Sequence, residues 1–176
     1  MWNTIKLIAK SGILSEAAPA DAGAVETEAR RISKHLLGIL GRALAIRALD
    51  AGSCNACELE IHALNNPYYN LEGLGIKFVA SPRHADLLLV TGPVTRNMEE
   101  ALLRTYAAMP EPRLAVAVGD CPKNGGIYGA SYACRGGING LVPVDVWVPG
   151  CPPEPLAILR GILAAVARLK RQETAR

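Results

Sequence analysis

Three stretches of the sequence constrain the fold more than any other feature: ADLLLVTG at 85–92, RLAVAVGD at 113–120 and PVDVWVPG at 143–150. Each carries a short core that is apolar at nearly every position, bounded by glycine, proline or aspartate. A strand with one face in water alternates apolar and polar residues, whereas a strand covered on both faces has no need to. Two earlier runs, LAIRALDA at 44–51 and GIKFVAS at 75–81, are similar. Helical patterns separate them. ELEIHALNN follows the first run, MEEALLRTYAAM lies between 98 and 109, and PEPLAILRGILAAVARLKR closes the sequence with basic residues in its last turns, where they suit the helix dipole.

Buried strands alternating with helices predict an α/β fold, a flavodoxin-like doubly wound parallel sheet. Ahead of it, residues 1 to about 25 read as a weakly structured arm containing the small, acidic linker SEAAPADAGAVE. Residues 28–44 place Ile32, Leu36, Leu37, Leu40 and Leu44 at helical spacing, with Arg30, Arg31, Lys34 and Arg42 at other positions. This predicts a basic amphipathic helix, suited either to packing on its own domain or to docking on a partner or a membrane surface. The expected division is 1–45 for arm and helix and 46–176 for the sheet domain.

The net charge of +3 comes without a basic block interleaved with aromatics, so nucleic acid is not an expected partner. No apolar run reaches the roughly 18 to 20 residues of a membrane span. The first twenty residues are interrupted by Lys6 and Lys10 and do not read as a secretory signal, so a soluble intracellular protein is expected. In that compartment five cysteines, an odd number, point to metal binding before disulfides.

Cys54 and Cys57 follow the first strand, Cys121 follows RLAVAVGD, and Cys151 follows VDVWVPG. All four therefore fall just past the carboxyl ends of strands, the edge where open α/β sheets bind ligands. Four thiolates suit a structural zinc or a cubane iron-sulfur cluster. One Cys-x-x-Cys pair with two single cysteines, on a sheet that needs no metal to fold, favours iron-sulfur and leaves a zinc-stabilised binding module as the rival. Cys134 sits in a glycine-rich loop with no strand end before it and is read as a non-ligand, a swap with Cys121 being the alternative that the sequence leaves open. The glycines of CPKNGGIYGASYACRGG either let backbone approach sulfur or merely shape a long loop.

The ordered set CNACELE, SPRHADLLLVTGPVT, MPEPRLAVAVGDC, NGGIYG and VPVDVWVPGCPP, spanning about 49–163, resembles the small, cluster-binding subunit of energy-converting NiFe hydrogenases of the formate hydrogenlyase type. It is also similar to the 20 kDa iron-sulfur subunit of respiratory complex I. The resemblance implies one 4Fe-4S cluster on Cys54, Cys57, Cys121 and Cys151, proximal to a nickel-iron site in a separate large subunit. The chain would then be a non-catalytic electron-transfer subunit of an oxidoreductase, working on protons and hydrogen. The implied partners are the NiFe hydrogenase large subunit, a ferredoxin-like iron-sulfur subunit and integral membrane subunits, with the complex peripheral on the cytoplasmic face of the cell membrane.

Complex I subunits carry adjacent cysteines at the first ligand position. The two-residue gap between Cys54 and Cys57, followed by Glu60, is similar to the hydrogenase pattern and sets a quinone-reducing subunit second. In that pattern Glu60 is a candidate for proton movement, though Glu58 and Glu60 equally suit ordinary helix carboxylates. His84 is a candidate for tuning the cluster potential through a hydrogen bond, against an ordinary loop role, and Arg83 for neutralising charge at an interface. His35 and His62 have no partner signal.

Overall fold

The computed structural model describes residues 2–11, 34, 38 and 41–174. A helix α1 (Trp2–Ser11) comes first. The sheet domain then runs β1 (Leu44–Asp50), α2 (Ala56–Ala63), β2 (Ile76–Phe78), β3 (Leu87–Thr91), α3 (Arg96–Ala107), β4 (Leu114–Val118), the single turn α4 (Cys121–Asn124), β5 (Val146–Val148) and α5 (Pro155–Thr174). The strand order is β2-β1-β3-β4-β5, and every described pair is parallel. This is the flavodoxin-like order of a doubly wound sheet, as the apolar runs predict.

Parallel pairing explains why those runs are apolar throughout. All five residues of β3 and of β4 are buried. Leu87 and Leu89 face a core shared with Ile61 of α2 and Ile158 and Ile162 of α5. Leu88 and Val90 face a second core built from Leu102 of α3 and from Ile138 and Val142 of the long loop before β5. The second face is thus covered by one helix and a loop. The β2 to β3 connection holds only a single turn, Pro82–His84, where a longer crossover would carry a helix.

Two aspartates fix the register at the amino edge by the same means. Asp86, just before β3, exchanges bonds with Ala45 of β1: its N–H donates to Ala45 O at 2.8 Å, and its carboxylate accepts from Ala45 N–H at 2.9 Å. Asp145, just before β5, does the same with Ala115 of β4, at 2.9 and 2.8 Å. Each side chain supplies the acceptor that the next ladder position lacks, so no strand N–H is left unpaired there. Asp86 is 8 % exposed and is also paired with Arg42.

The amino-terminal region departs from expectation in two ways. Trp2–Ser11 is helical, where an arm with little structure was predicted, because the isolated lysines still leave an amphipathic period. Of the predicted 28–44 helix, Lys34 and Gly38 are described, both helical and both exposed; most of it, like the SEAAPADAGAVE linker, lies outside the described residues. Its predicted end is too late. Gly41 takes a left-handed φ of 63° and Leu44 already opens β1, so Leu44 belongs to the sheet core and not to a helix face.

Replacing Asp86 by alanine strands the Ala45 N–H and the Arg42 guanidinium together. Urea unfolding is expected to show a loss of about 1–3 kcal/mol, against about 0.5 kcal/mol or less for Glu72→Ala on the exposed surface.

Candidate metal centre

The four cysteines arrive at the carboxyl edge by three routes. After β1 the Asp50 carboxylate accepts from the N–H groups of Gly52 at 2.8 Å and Ser53 at 2.6 Å, turning the chain sharply. Ser53 Oγ accepts from Asn55 N–H at 3.0 Å and donates to Glu58 Oε2 at 2.7 Å. Asn55 takes the left-handed conformation, φ 71°, and α2 begins at the next residue. This braced turn leaves Cys54 exposed and buries Cys57 in the first turn of α2.

Cys121 opens α4 immediately after β4, and Cys151 follows β5. The two loops are tied to each other. Gly119 N–H donates to Val148 O at 2.8 Å and Asp120 N–H to Gly150 O at 2.9 Å, while the Asp120 carboxylate accepts from Gly150 N–H at 3.1 Å. The β4–β5 ladder is thereby extended by a side chain as far as the two cysteines. Helix α5 starts at Pro155, four residues beyond Cys151, so its dipole does not begin at that thiol.

The thiols of Cys54, Cys57, Cys121 and Cys151 lie near enough to one another for their charges to interact. Burial, then Glu58, then the thiols of Cys121, Cys54 and Cys151 push the Cys57 thiol up to about 12. Cys121 is raised by burial, then by Cys151, Cys54 and Asp120, with a backbone bond from Ile127 acting the other way. The exposed Tyr128 hydroxyl is raised by the same group, Cys54 first, to which it also hydrogen-bonds. Cys134 takes no part in this field. Its backbone bridges Thr95, and its N–H and C=O bond Ser131 Oγ and N–H at 3.1 and 2.9 Å, anchoring the loop to the start of α3.

The cradle is cut to sulfur. A Cβ at Gly119 would lie 2.8 Å from Cys57 Sγ, and one at Gly126 would lie 2.6 Å from Cys121 Sγ. Both residues have left-handed φ, 91° and 53°. Among the described residues no three His, Cys, Asp or Glu side chains converge tightly enough for a single metal ion. A tetrahedral zinc at 2.3 Å from each sulfur requires them roughly 3.8 Å apart, whereas a four-iron cube is several Å across and is held from further out. Four thiols within one another's field, with backbone pared back around two of them, fit the larger group.

Other predicted residues fall outside this constellation. Arg83 and His84 are exposed in the turn that precedes β3, at the amino edge. A strand of five residues, roughly 16 Å, separates that edge from the thiols, so His84 cannot hydrogen-bond a sulfur there. Glu60 is half-buried on α2 beyond Cys57, His62 is exposed, and His35 lies outside the described residues. Asp120, Gly119 and Tyr128 were not singled out from the sequence. Glycine directly after a wholly apolar strand was the available signal for Gly119; the bond from Asp120 to Gly150 depends on strand order.

A family model described as NADH ubiquinone oxidoreductase, 20 Kd subunit, matches residues 54–165, from the first of these cysteines to beyond the last. The chain belongs to this family of oxidoreductase subunits. Among its relatives, the probable membrane-bound hydrogenase subunit mbhJ of Pyrococcus furiosus is 40 % identical over 148 residues, covering 82 % of this chain and 89 % of that one. Formate hydrogenlyase subunit 7 of Escherichia coli is 44 % identical over 141 residues, covering 80 % of this chain, which spans about half (55 %) of that protein. A subunit in the solved membrane-bound sulfane sulfur reductase, an archaeal respiratory membrane complex, superposes with a TM-score of 0.66 at 33 % identity, covering 79 % of this chain and 76 % of that one.

Two outcomes check the site. In metal-free protein at pH 8, iodoacetamide is expected to label the exposed Cys54 and Cys151 first, with Cys57 at least about a hundredfold slower because so little of it is thiolate; its rate should climb about tenfold per pH unit toward pH 12. Mass spectrometry of the peptides measures this. Gly119→Ala is expected to lower bound iron severalfold, because its methyl competes with Cys57 Sγ for the same space.

Proposed function

We propose that this chain is the electron-transfer subunit of a membrane-associated NiFe hydrogenase, with Cys54, Cys57, Cys121 and Cys151 holding one 4Fe-4S cluster proximal to the nickel-iron site of a large subunit. The observation that carries the reading is the single field shared by those four thiols at the carboxyl edge, with Gly119 and Gly126 opened toward the sulfurs. When bound, such a cluster supplies one-electron carriage. The chain's own contribution is positional. Asp50, Ser53 and Asn55 hold the first loop, Asp120 and Gly150 lock the third and fourth thiols together, and Ile127 N–H offers a hydrogen bond to Cys121. Burial of Cys57 and Cys121 with exposure of Cys54 and Cys151 gives the centre one sheltered and one open side. Short electron transfer to a partner needs that open side.

The named relatives favour hydrogenase over quinone reduction, as does the two-residue gap between Cys54 and Cys57. Among the described residues no helix is long and apolar enough to cross a membrane. We place the subunit peripherally on the cytoplasmic face of the membrane, held by integral membrane subunits and served by a ferredoxin-like iron-sulfur subunit. The residues ahead of β1 then form an appended attachment region before the cluster domain, the expected boundary at 45 falling just inside that strand, and Glu60 stands as a proton-path carboxylate at the subunit boundary.

The test is metal analysis and electron paramagnetic resonance on the complex purified through this chain. About four iron per chain and a dithionite-induced cluster signal are expected, with nickel in the co-purifying large subunit. Cys121→Ser and Cys151→Ser should abolish the native signal, and Cys134→Ser should leave it unchanged. Stoichiometric zinc without iron would overturn the cluster, and a large subunit devoid of nickel would overturn the hydrogenase assignment.

A further inference from the structure

Next to the Cys54–Cys57 loop the sheet has a gap. β2 ends at Phe78, opposite Ile46 of β1, and Val79 N–H donating to Ile46 O at 2.8 Å closes that ladder. β1 continues through Arg47 to Asp50. Backbone groups of alternate residues in a parallel strand point to the same side. Leu44 and Ile46 bond toward β2 while Ala45 bonds toward β3, so Ala48 presents its N–H and C=O to the side β2 has left.

A cavity of about 460 Å3 occupies that place. Ile61 and Phe78 in its wall pack with one core, whereas Leu49 and Val79 pack with the other. A pocket on one face of a sheet would not draw on both cores; the missing end of an edge strand would. Arg47 and Glu58 also line it, and each carries a buried polar atom, Nε and Oε1, with no hydrogen-bond partner among the described residues.

We infer that this gap is a strand-addition site, filled in the assembled complex by an extended peptide segment of the large partner subunit, with apolar side chains and with polar groups for Arg47 and Glu58. The identity of the partner rests on the function proposed above. An extended backbone meets every requirement at once. It offers a donor and an acceptor to Ala48, sends alternate side chains to the two faces of the sheet, and brings an acceptor to Arg47 and a donor to Glu58. A small apolar molecule fills the volume and leaves those polar atoms orphaned. The position argues for the large subunit, because Asp50 and Glu58 of the cavity wall also brace the loop carrying Cys54 and Cys57. A strand seated there continues the open side of the thiol site.

Hydrogen exchange and photo-crosslinking on the intact complex test this. Amides of Ala48 and Asp50, the two on the side of β1 that faces the gap, are expected to exchange at least about tenfold more slowly in the complex than in the separated, cluster-loaded subunit. A photoreactive residue placed at Ala80 or Asn65, both exposed in the wall, should crosslink to one short segment of the large subunit. Ala48→Pro removes the N–H facing the gap and holds φ at about −65°, a change edge strands tolerate. It should weaken subunit association by about tenfold while the cluster absorbance is unchanged. Equal exchange in both states, crosslinks returning to this chain or to lipid, or unaltered association of Ala48→Pro would overturn the proposal. Protected β1 amides with a nickel-free partner would remove the hydrogenase assignment and keep the strand site; nickel with unprotected amides would do the reverse.

Discussion

The short ladder between β4 and β5 is the contact on which the rest of the site depends. Val116, Ala117 and Val118 pair with Val146, Trp147 and Val148, and the pairing is carried past the strand ends by Gly119, Asp120 and Gly150. Cys121 and Cys151 are thirty residues apart in the chain yet are held by consecutive hydrogen bonds of one ladder. Without that ladder each would be a single thiol on a flexible loop. The β1–β3–β4 pairing then brings Cys54 and Cys57 to the same edge, and the sheet, buried on both faces, supplies a rigid mount that loops alone would lack.

Rigidity has an electrostatic cost. Cys57 and Cys121, buried beside Glu58 and Asp120 and within the field of neighbouring thiols, resist losing their protons, and their raised pKa values express that resistance. A cationic metal core reverses the balance: it neutralises thiolate charge and makes their closeness favourable. If the proposed cluster binds here, the residues that disfavour ionised thiols would favour the loaded site, with protons leaving as metal enters. Gly119 and Gly126 work alongside this by removing side-chain volume where sulfur and metal need room.

Most of the sheet was legible because burial on both faces writes itself into sequence as uninterrupted apolar runs, as in Leu87–Thr91 and Leu114–Val118. The grouping of the four cysteines followed from topology, since every strand of a parallel sheet delivers its carboxyl end to one side. What was not legible depended on pairing partners or on directions within an element. His84 adjoins an apolar strand in sequence, but only the strand's direction shows that it lies at the wrong edge. Leu44 fits a helical period with Leu40 and Leu37, yet the intervening Gly41 breaks the helix and gives Leu44 to β1. The early end of β2 leaves no mark in GIKFVAS, whose Val79 and Ala80 suit a strand as well as Ile76 does.

That early end bears on how one frame serves different complexes. The chain shares its sequence family with subunits of a membrane-bound hydrogenase and a formate hydrogenlyase, and its fold with a subunit of a sulfane sulfur reductase complex. A four-cysteine cluster site, as proposed for this chain, would carry electrons without choosing what is reduced; chemistry of that kind is set where a partner's site meets it. The parts of this chain free to encode a partner are those that the sheet does not already commit: the turn around Cys54, the aromatic loop with Tyr128 and Tyr132, and the free half of β1. The first two sit close to the thiols and are limited by them. The edge of β1 is less so, because its unpaired backbone and Arg47 take no part in bracing the Cys54–Cys57 loop, a task that falls to Glu58 through Ser53.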